Sequence, residues 1–149
     1  YKNIVTETAL EMEKAVKENL SNQDCVIMAA AVSDYRVENC AENKIKKQGN
    51  KLTLELVENP DILKSICKTP NKIICGFCAE SENLLENAKA KIQKKGCDFL
   101  IANDISRKDI GFNTDENEVY IIDKSLNIKH IEKDTKENIA RRILEEIFE

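Results

Sequence analysis

Glycine is scarce: only Gly49, Gly76, Gly96 and Gly111 occur in 149 residues. Neither G-x-G-x-x-G nor G-x-x-x-x-G-K-[ST] can be written with them. That excludes the common glycine-built phosphate loops and counts against a dinucleotide-dependent oxidoreductase. Histidine occurs once, at His130, and no Ser/His/Asp triad is supported around it. Long apolar runs are missing: none approaches the roughly 20 residues that cross a bilayer. The opening "YKNIVTETALEM" lacks the apolar stretch of a signal peptide, so no membrane and a cytoplasmic location are the expectations. An excess of positive charge is missing too. The formal net charge is -4, which argues against a general nucleic-acid surface but leaves room for a local basic pocket.

What is present is a globular balance, with 42% hydrophobic and 34% charged residues. A chain of this length can bury one core, so residues 1–149 are read as one domain. No repeat, low-complexity tract or long linker divides it. Six cysteines stand at positions 25, 40, 67, 75, 78 and 97. Cys75 and Cys78 have the spacing of a zinc or redox pair, but no second pair stands at ligand spacing. "KIICGFC" reads as a strand, in which alternate side chains point to opposite faces. The two thiols then face opposite ways, as core fillers in a reducing compartment.

Four short apolar runs, "CVIMAA" (25–30), "KIICGF" (72–77), "FLIA" (99–102) and "VYII" (119–122), do not alternate with polar residues. They fit strands buried on both faces, as in a parallel sheet. Helical stretches separate them. Thr8 and Glu11 spell a capping box before "EMEKAVKENL". Pro60 suits the first turn of a helix over "PDILKSICK". Residues 81–95 read as a helix that stops at Gly96. "DTKENIARRILEEIF" is amphipathic, with Ile139, Ile143, Leu144 and Ile147 on one side. "KLTLELV" (51–57) alternates and reads as a strand, and "EVYIIDKSLNIKHIE" as a hairpin turning near Asp123–Leu126. The expectation is a Rossmann-like α/β/α domain: three layers, a mostly parallel central sheet and a C-terminal β-hairpin.

Ligands of such sheets bind beyond the carboxyl ends of the strands. Asp34, Tyr35 and Arg36 follow the first run, Phe77 and Glu80 the second, Asn103 and Asp104 the third. Asp104 reads equally well as a cap or turn residue. In the 81–95 helix, with Leu84 at zero and about 100° per residue, Lys91 falls near 340° and Lys95 near 20°. Both border the apolar stripe of Leu84, Leu85, Ala88 and Ile92. Either they snorkel outward at the last turn, or they reach into a cleft that holds an anion. "NKIKKQGNK" is a solvated loop on the simplest reading. Folded over the same cleft, Lys44, Lys46 and Lys47 would join Lys91 and Lys95 to hold a polyphosphate.

Taken in order, "AAVSDYRV", "KIKK", "LTLELVENPDIL", "GFCAES" and "GCDFLIANDIS…GFNTDENEVYII" resemble phosphopantothenate–cysteine ligase, from the first helix to the last. The resemblance implies a CTP- and Mg²⁺-dependent enzyme of coenzyme A biosynthesis. In it the carboxylate of 4′-phosphopantothenate attacks the α-phosphate of CTP, and cysteine then takes the acyl group from the acyl-cytidylate. It also implies a homodimer, for which the 118–131 hairpin is the expected contact, and a fused flavin-dependent decarboxylase domain. By position it assigns Met28, Ala29, Ala30, Asp34, Pro60, Asp61, Ile62, Leu63, Phe77, Lys91 and Lys95 to the nucleotide. Free N–H groups where Pro60 to Leu63 open a helix would suit an anionic ligand. Lys44 is assigned to phosphate or to acyl transfer on a mobile flap. Magnesium is expected mainly through the triphosphate.

Two departures stand out. Cys78 and Ser81 replace the more usual Ala and Thr of "GFAAET". The family's Gly-rich "SNxSSGxxG" segment, whose Asn acts on the acyl intermediate, does not occur in this sequence. Residues 1–149 alone are therefore expected to show weak ligase activity or none. The competing readings are a nucleotide-binding module without catalysis, a Rossmann-type oxidoreductase, and a zinc or thiol-redox protein at Cys75 and Cys78.

Overall fold

The computed structural model describes every residue except 1, 42, 48, 50, 108, 112 and 113. Its central sheet has five strands: β1 (Cys25–Met28), β4 (Ile73–Glu80), β5 (Phe99–Asp104), β6 (Glu116–Asp123) and β7 (Ile128–Thr135), side by side in that order. β1, β4 and β5 pair in parallel, and β6 and β7 add an antiparallel hairpin. Four of the five strands thus run the same way; three of the four apolar runs are parallel strands as expected, while "VYII" lies in β6, the strand that runs against the rest. The hairpin turns at the expected place, with Leu126 at φ 68.

Helices α1 (Ala9–Asn19), α2 (Ile62–Ile66) and α3 (Leu84–Lys95) contribute to one apolar cluster, with Met28, Ile74, Cys78 and Leu100 from the sheet. Helix α4 (Lys136–Phe148) covers the other face through Ile139, Ile143 and Ile147, packed with Cys75, Ile101, Val119 and Ile131. The three-layer architecture follows, with Cys75 and Cys78 in opposite clusters as strand alternation requires. No helix among the described residues is long and apolar enough to cross a membrane.

The local signals decide most boundaries. Thr8 accepts from the Glu11 N–H at 3.2 Å while Glu11 reaches back to the Thr8 N–H at 3.2 Å, the reciprocal cap that starts α1. Gly96 ends α3 in the left-handed region at φ 75, where a side chain would be strained.

Three expectations need correction. "KLTLELV" is not a strand over its whole length: only β3 (Leu56–Glu58) pairs, and it pairs antiparallel with β2 (Tyr35–Val37) in a separate two-stranded sheet. Leu52, Leu54 and Leu56 stay exposed there, because nothing among the described residues packs on their face. Leu144 is 45% exposed: α4 buries a narrow stripe at spacing four, and Leu144 falls beside it. Pro60 lies before the helix, and Asp61 is the cap whose carboxylate accepts the Lys64 N–H at 3.1 Å.

Candidate functional site

A hollow of about 500 Å³ opens beyond the carboxyl ends of β1 and β4. Met28 ends β1, and Ala30, Ala31, Val32, Ser33 and Asp34 follow it along one wall. Phe77, Cys78 and Ala79 come from β4, and Pro60 to Leu63 from the entry of α2. Lys91, Lys94 and Lys95 come from the last turns of α3. Gly76 makes the floor tight. A Cβ there would lie 2.3 Å from Leu63 Cδ2 and 3.3 Å from Leu100 Cδ1, so its bare backbone lets α2 settle on β4.

Of the twelve residues expected at the nucleotide, Met28, Ala30, Asp34, Pro60, Asp61, Ile62, Leu63, Phe77, Lys91 and Lys95 line this one hollow. Ala29 is exposed and does not. Lys44 lies on an exposed stretch between β2 and β3, also outside the lining. Gln48 and Asn50 of the same basic loop, and Phe112 and Asn113 of "GFNTDENEVYII", fall outside the described residues.

The α3 lysines do not snorkel freely. Lys95 Nζ donates to both Asp61 oxygens at 2.9 Å, which joins the end of α3 to the start of α2. An ammonium has three N–H donors, so one remains for a ligand. Lys91 pairs with Glu80, whose side chain is only 13% exposed and whose other oxygen accepts from Asn87 Nδ2 at 3.2 Å. Burial works to raise the Asp61 pKa, but the hydrogen bonds from Lys95 and the Lys64 N–H, with their charges, hold it below the ordinary carboxylate value. The Asp61 carboxylate thus fills the helix start that was expected to offer free N–H groups. The positive charge at this corner is that of the α3 lysines.

Asn59 was not foreseen. Its Nδ2 donates to the Ser33 carbonyl at 2.9 Å and its N–H to the Asp34 carbonyl at 2.7 Å. Arg36 Nη1 reaches the Glu58 carbonyl at 2.5 Å and Asn59 Oδ1 at 3.3 Å. These bonds clasp the 31–34 wall to the Pro60 corner. The signal was the Asn-Pro pair in "ENP", a turn-forming dipeptide. Lys94 was missed because the helical wheel puts it beside the polar face. Asp104 proves to be a turn residue: it accepts from the Ser106 N–H at 2.8 Å and hydroxyl at 2.6 Å.

The CGFC pair carries no site. Burial pushes the Cys78 thiol up to about 11 and the Cys75 thiol higher still, so both stay protonated. Among the described residues no group of three or more His, Cys, Asp or Glu could hold a metal ion. Asp34 and Asp61 both border the hollow, but two carboxylates, one tied to Lys95, do not make a metal site of their own.

Residues 1–149 match the family model DFP, described as DNA/pantothenate metabolism flavoprotein C-terminal domain. The chain is 40% identical over 149 residues to the coenzyme A biosynthesis bifunctional protein CoaBC of Borreliella burgdorferi, covering 97% of this chain and 37% of that protein. It is 38% identical over 155 residues to the protein of the same name from Escherichia coli K12, again covering 37% of it. The chain therefore spans little more than a third of these relatives. Among solved structures, the C-terminal domain of CoaBC matches with a TM-score of 0.77 at 30% identity, over 97% of this chain and 63% of that one. A Cab2 mutant in complex with phosphopantothenate-cysteine matches with a TM-score of 0.74 at 17% identity, over 97% and 52%, a likeness of fold alone.

Proposed function

The chain belongs to the DNA/pantothenate metabolism flavoprotein C-terminal domain family, and from that premise we propose that it is the nucleotide-binding domain of a CTP-dependent phosphopantothenate–cysteine ligase. The observation that carries the reading is the convergence of three lysines, two aspartates and a run of small residues on one hollow at the carboxyl edge of a parallel sheet.

The reaction joins two anions before it joins carbon to nitrogen. The carboxylate of 4′-phosphopantothenate attacks the α-phosphorus of CTP, and the bond to pyrophosphate breaks. The cysteine amine then attacks the acyl carbon, forming the amide and releasing CMP. Such an attack needs charge neutralisation. Lys91 and Lys95 arrive already paired with Glu80 and Asp61, so both are positioned before a ligand enters and still have N–H donors to offer it. Lys94 and the basic loop at Lys44 supply uncompensated charge. Magnesium brought in with the triphosphate would supply further neutralisation of phosphate charge. Met28, Ala30 and Phe77 offer the apolar and backbone surface for the base.

The curated relatives are named bifunctional, and a fused flavin-dependent decarboxylase domain belongs to the same reading. So does a homodimer, for which the exposed Leu52, Leu54 and Leu56 offer an apolar surface. Sedimentation at graded concentrations would return only monomer if that part is wrong. A non-catalytic nucleotide-binding module is the second reading, favoured by the absence of Lys44 from the hollow's lining.

Calorimetric titration of CTP, ATP and NAD, each with Mg²⁺, tests the core of the proposal. CTP should bind and NAD should not. Absence of any nucleotide binding would overturn both readings. The longer natural protein separates them, since only a ligase releases CMP in step with added cysteine and 4′-phosphopantothenate. Residues 1–149 alone should turn over slowly or not at all.

A further inference from the structure

Asn59 stands between β3 and the entry of α2, and its polar groups are engaged on the opposite wall of the hollow. Its Nδ2 donates to the Ser33 carbonyl at 2.9 Å and its N–H to the Asp34 carbonyl at 2.7 Å. Its Oδ1 accepts from Arg36 Nη1 at 3.3 Å. Among the described residues no other side chain hydrogen-bonds to the stretch from Ala31 to Asp34. Val32 packs on the core from that stretch, whereas Ser33 and Asp34 are exposed. The Asp34 carboxylate has no cation partner among the described residues, so nothing at its tip fixes its place beside the hollow. Its backbone does. The two carbonyls held by Asn59 belong to the peptide planes on either side of Asp34. Only two soft dihedrals separate such planes, so pinning both sets the direction of the Asp34 side chain. Asn59 is itself constrained, since a residue before proline keeps to extended backbone. The same bonds close the root of the two-stranded sheet, where Tyr35 pairs with Glu58.

We propose that Asn59 is a positioning residue of the nucleotide site, acting through Asp34: it holds the Ser33–Asp34 turn so that the carboxylate stands at the hollow before a ligand arrives. This rests on the proposed nucleotide site and adds to it a residue whose contribution passes through another. Without the amide, the Ser33 peptide is free to rotate, and Asp34 must be ordered when the nucleotide binds. The cost appears as lost affinity. A purely architectural amide would also stabilise the fold, but its loss would weaken binding equally whether or not Asp34 carries a carboxylate.

A double-mutant cycle on the folded chain separates the two roles, with CTP and Mg²⁺ titrated calorimetrically. Asn59→Ala keeps the backbone bond to Asp34 and releases the Ser33 carbonyl, and should weaken CTP binding about 3- to 10-fold. Asp34→Ala should weaken it at least as much. In the Asp34→Ala background, Asn59→Ala should cost less than about twofold more, because no carboxylate remains to be positioned. Thermal unfolding is the control: Asn59→Ala should lower the melting temperature by the same amount in both backgrounds. Where Asn59→Ala does not fold, Asn59→Ser replaces it in the cycle, its hydroxyl stopping one atom short of the amide nitrogen. Equal affinity losses in both backgrounds, an unchanged affinity in Asn59→Ala, or an Asp34→Ala variant that binds as tightly as the unaltered chain overturns the proposal and leaves CTP binding intact. Absence of CTP binding by the unaltered chain overturns the nucleotide site itself, and this proposal with it.

Discussion

Lys91 and Lys95 stand on a packed helix, and each is held by a carboxylate from another element, Glu80 at the end of β4 and Asp61 at the start of α2. Lys44, Lys46 and Lys47 stand on an exposed stretch with no ion pair among the described residues. The contrast is one of preorganisation. The α3 ammonium groups are already positioned, and their side-chain entropy is already lost in folding. The loop lysines must be ordered when a ligand arrives, at about 0.5–1.5 kcal/mol for each immobilised side chain. On the proposed reading, one half of the site is built by the fold and the other half is completed on binding.

The largest effects should fall on the built half. On the proposed reading, Lys95→Ala and Lys91→Ala each remove a charge-assisted hydrogen bond to the nucleotide, worth roughly 1.5–3 kcal/mol. Calorimetry with CTP and Mg²⁺ should then show affinity down by about 10- to 100-fold. Lys44→Ala should cost less in binding, because ordering its side chain consumes part of what its contact gains. A larger binding loss for Lys44→Ala than for Lys91→Ala would reverse the comparison.

Next come changes that loosen the built half without touching a lysine. Gly76→Ala puts a methyl group into Leu63 and Leu100, and overpacking of this kind costs about 1–3 kcal/mol. Glu80→Ala leaves the Lys91 ammonium without its partner, a loss of about 1–2 kcal/mol. Thermal unfolding should rank these two variants well below the unaltered chain. Lys44→Ala should stay within about 0.5 kcal/mol of it, as an exposed substitution does. A loop variant as destabilised as Glu80→Ala would mean that the basic loop is packed and the contrast false.

The two halves were unequally legible in the sequence. Helical periodicity put Lys91 and Lys95 on the edge of an apolar stripe, so their position near a cleft could be read from α3 alone. Their partners could not. Glu80 lies eleven residues before Lys91, and Asp61 is 34 residues from Lys95; only the packing of α2 and β4 against α3 brings them together. Asn59 had a turn signal, but its hydrogen bonds to Ser33 and Asp34 span the chain. The alternation in "KLTLELV" was read as a strand over 51–57, and only Leu56 and Val57 of it pair, because alternation reports that faces differ and not what covers them. The strands of the central sheet and the hairpin followed from unbroken apolar runs and turn residues. The family motifs supplied most of the hollow's lining, since they mark the loops just after the strands, where the fold places a ligand.

The smallest effect is the sharpest probe of the Asp61–Lys95 clamp. The Asp61 carboxyl is held below its ordinary value of 3.8 because its bonds to Lys95 and to the Lys64 N–H outweigh burial. A depressed pKa adds stability that is fully present above the unfolded value and is lost as pH falls through the folded one. The contribution should therefore be constant above about pH 5 and fade below about pH 4. Asp61→Asn keeps a capping side chain at the start of α2 and removes only the charge. Its melting temperature should lie slightly below that of the unaltered chain at neutral pH, by the equivalent of about 1 kcal/mol or less, since the pair is partly exposed. The two curves should converge as acid protonates Asp61. A gap that persists undiminished at low pH would show that the carboxylate charge does no holding there. Lys95 would then be no more anchored than Lys44, and the distinction between a built half and a completed half would fail at its most exposed bond.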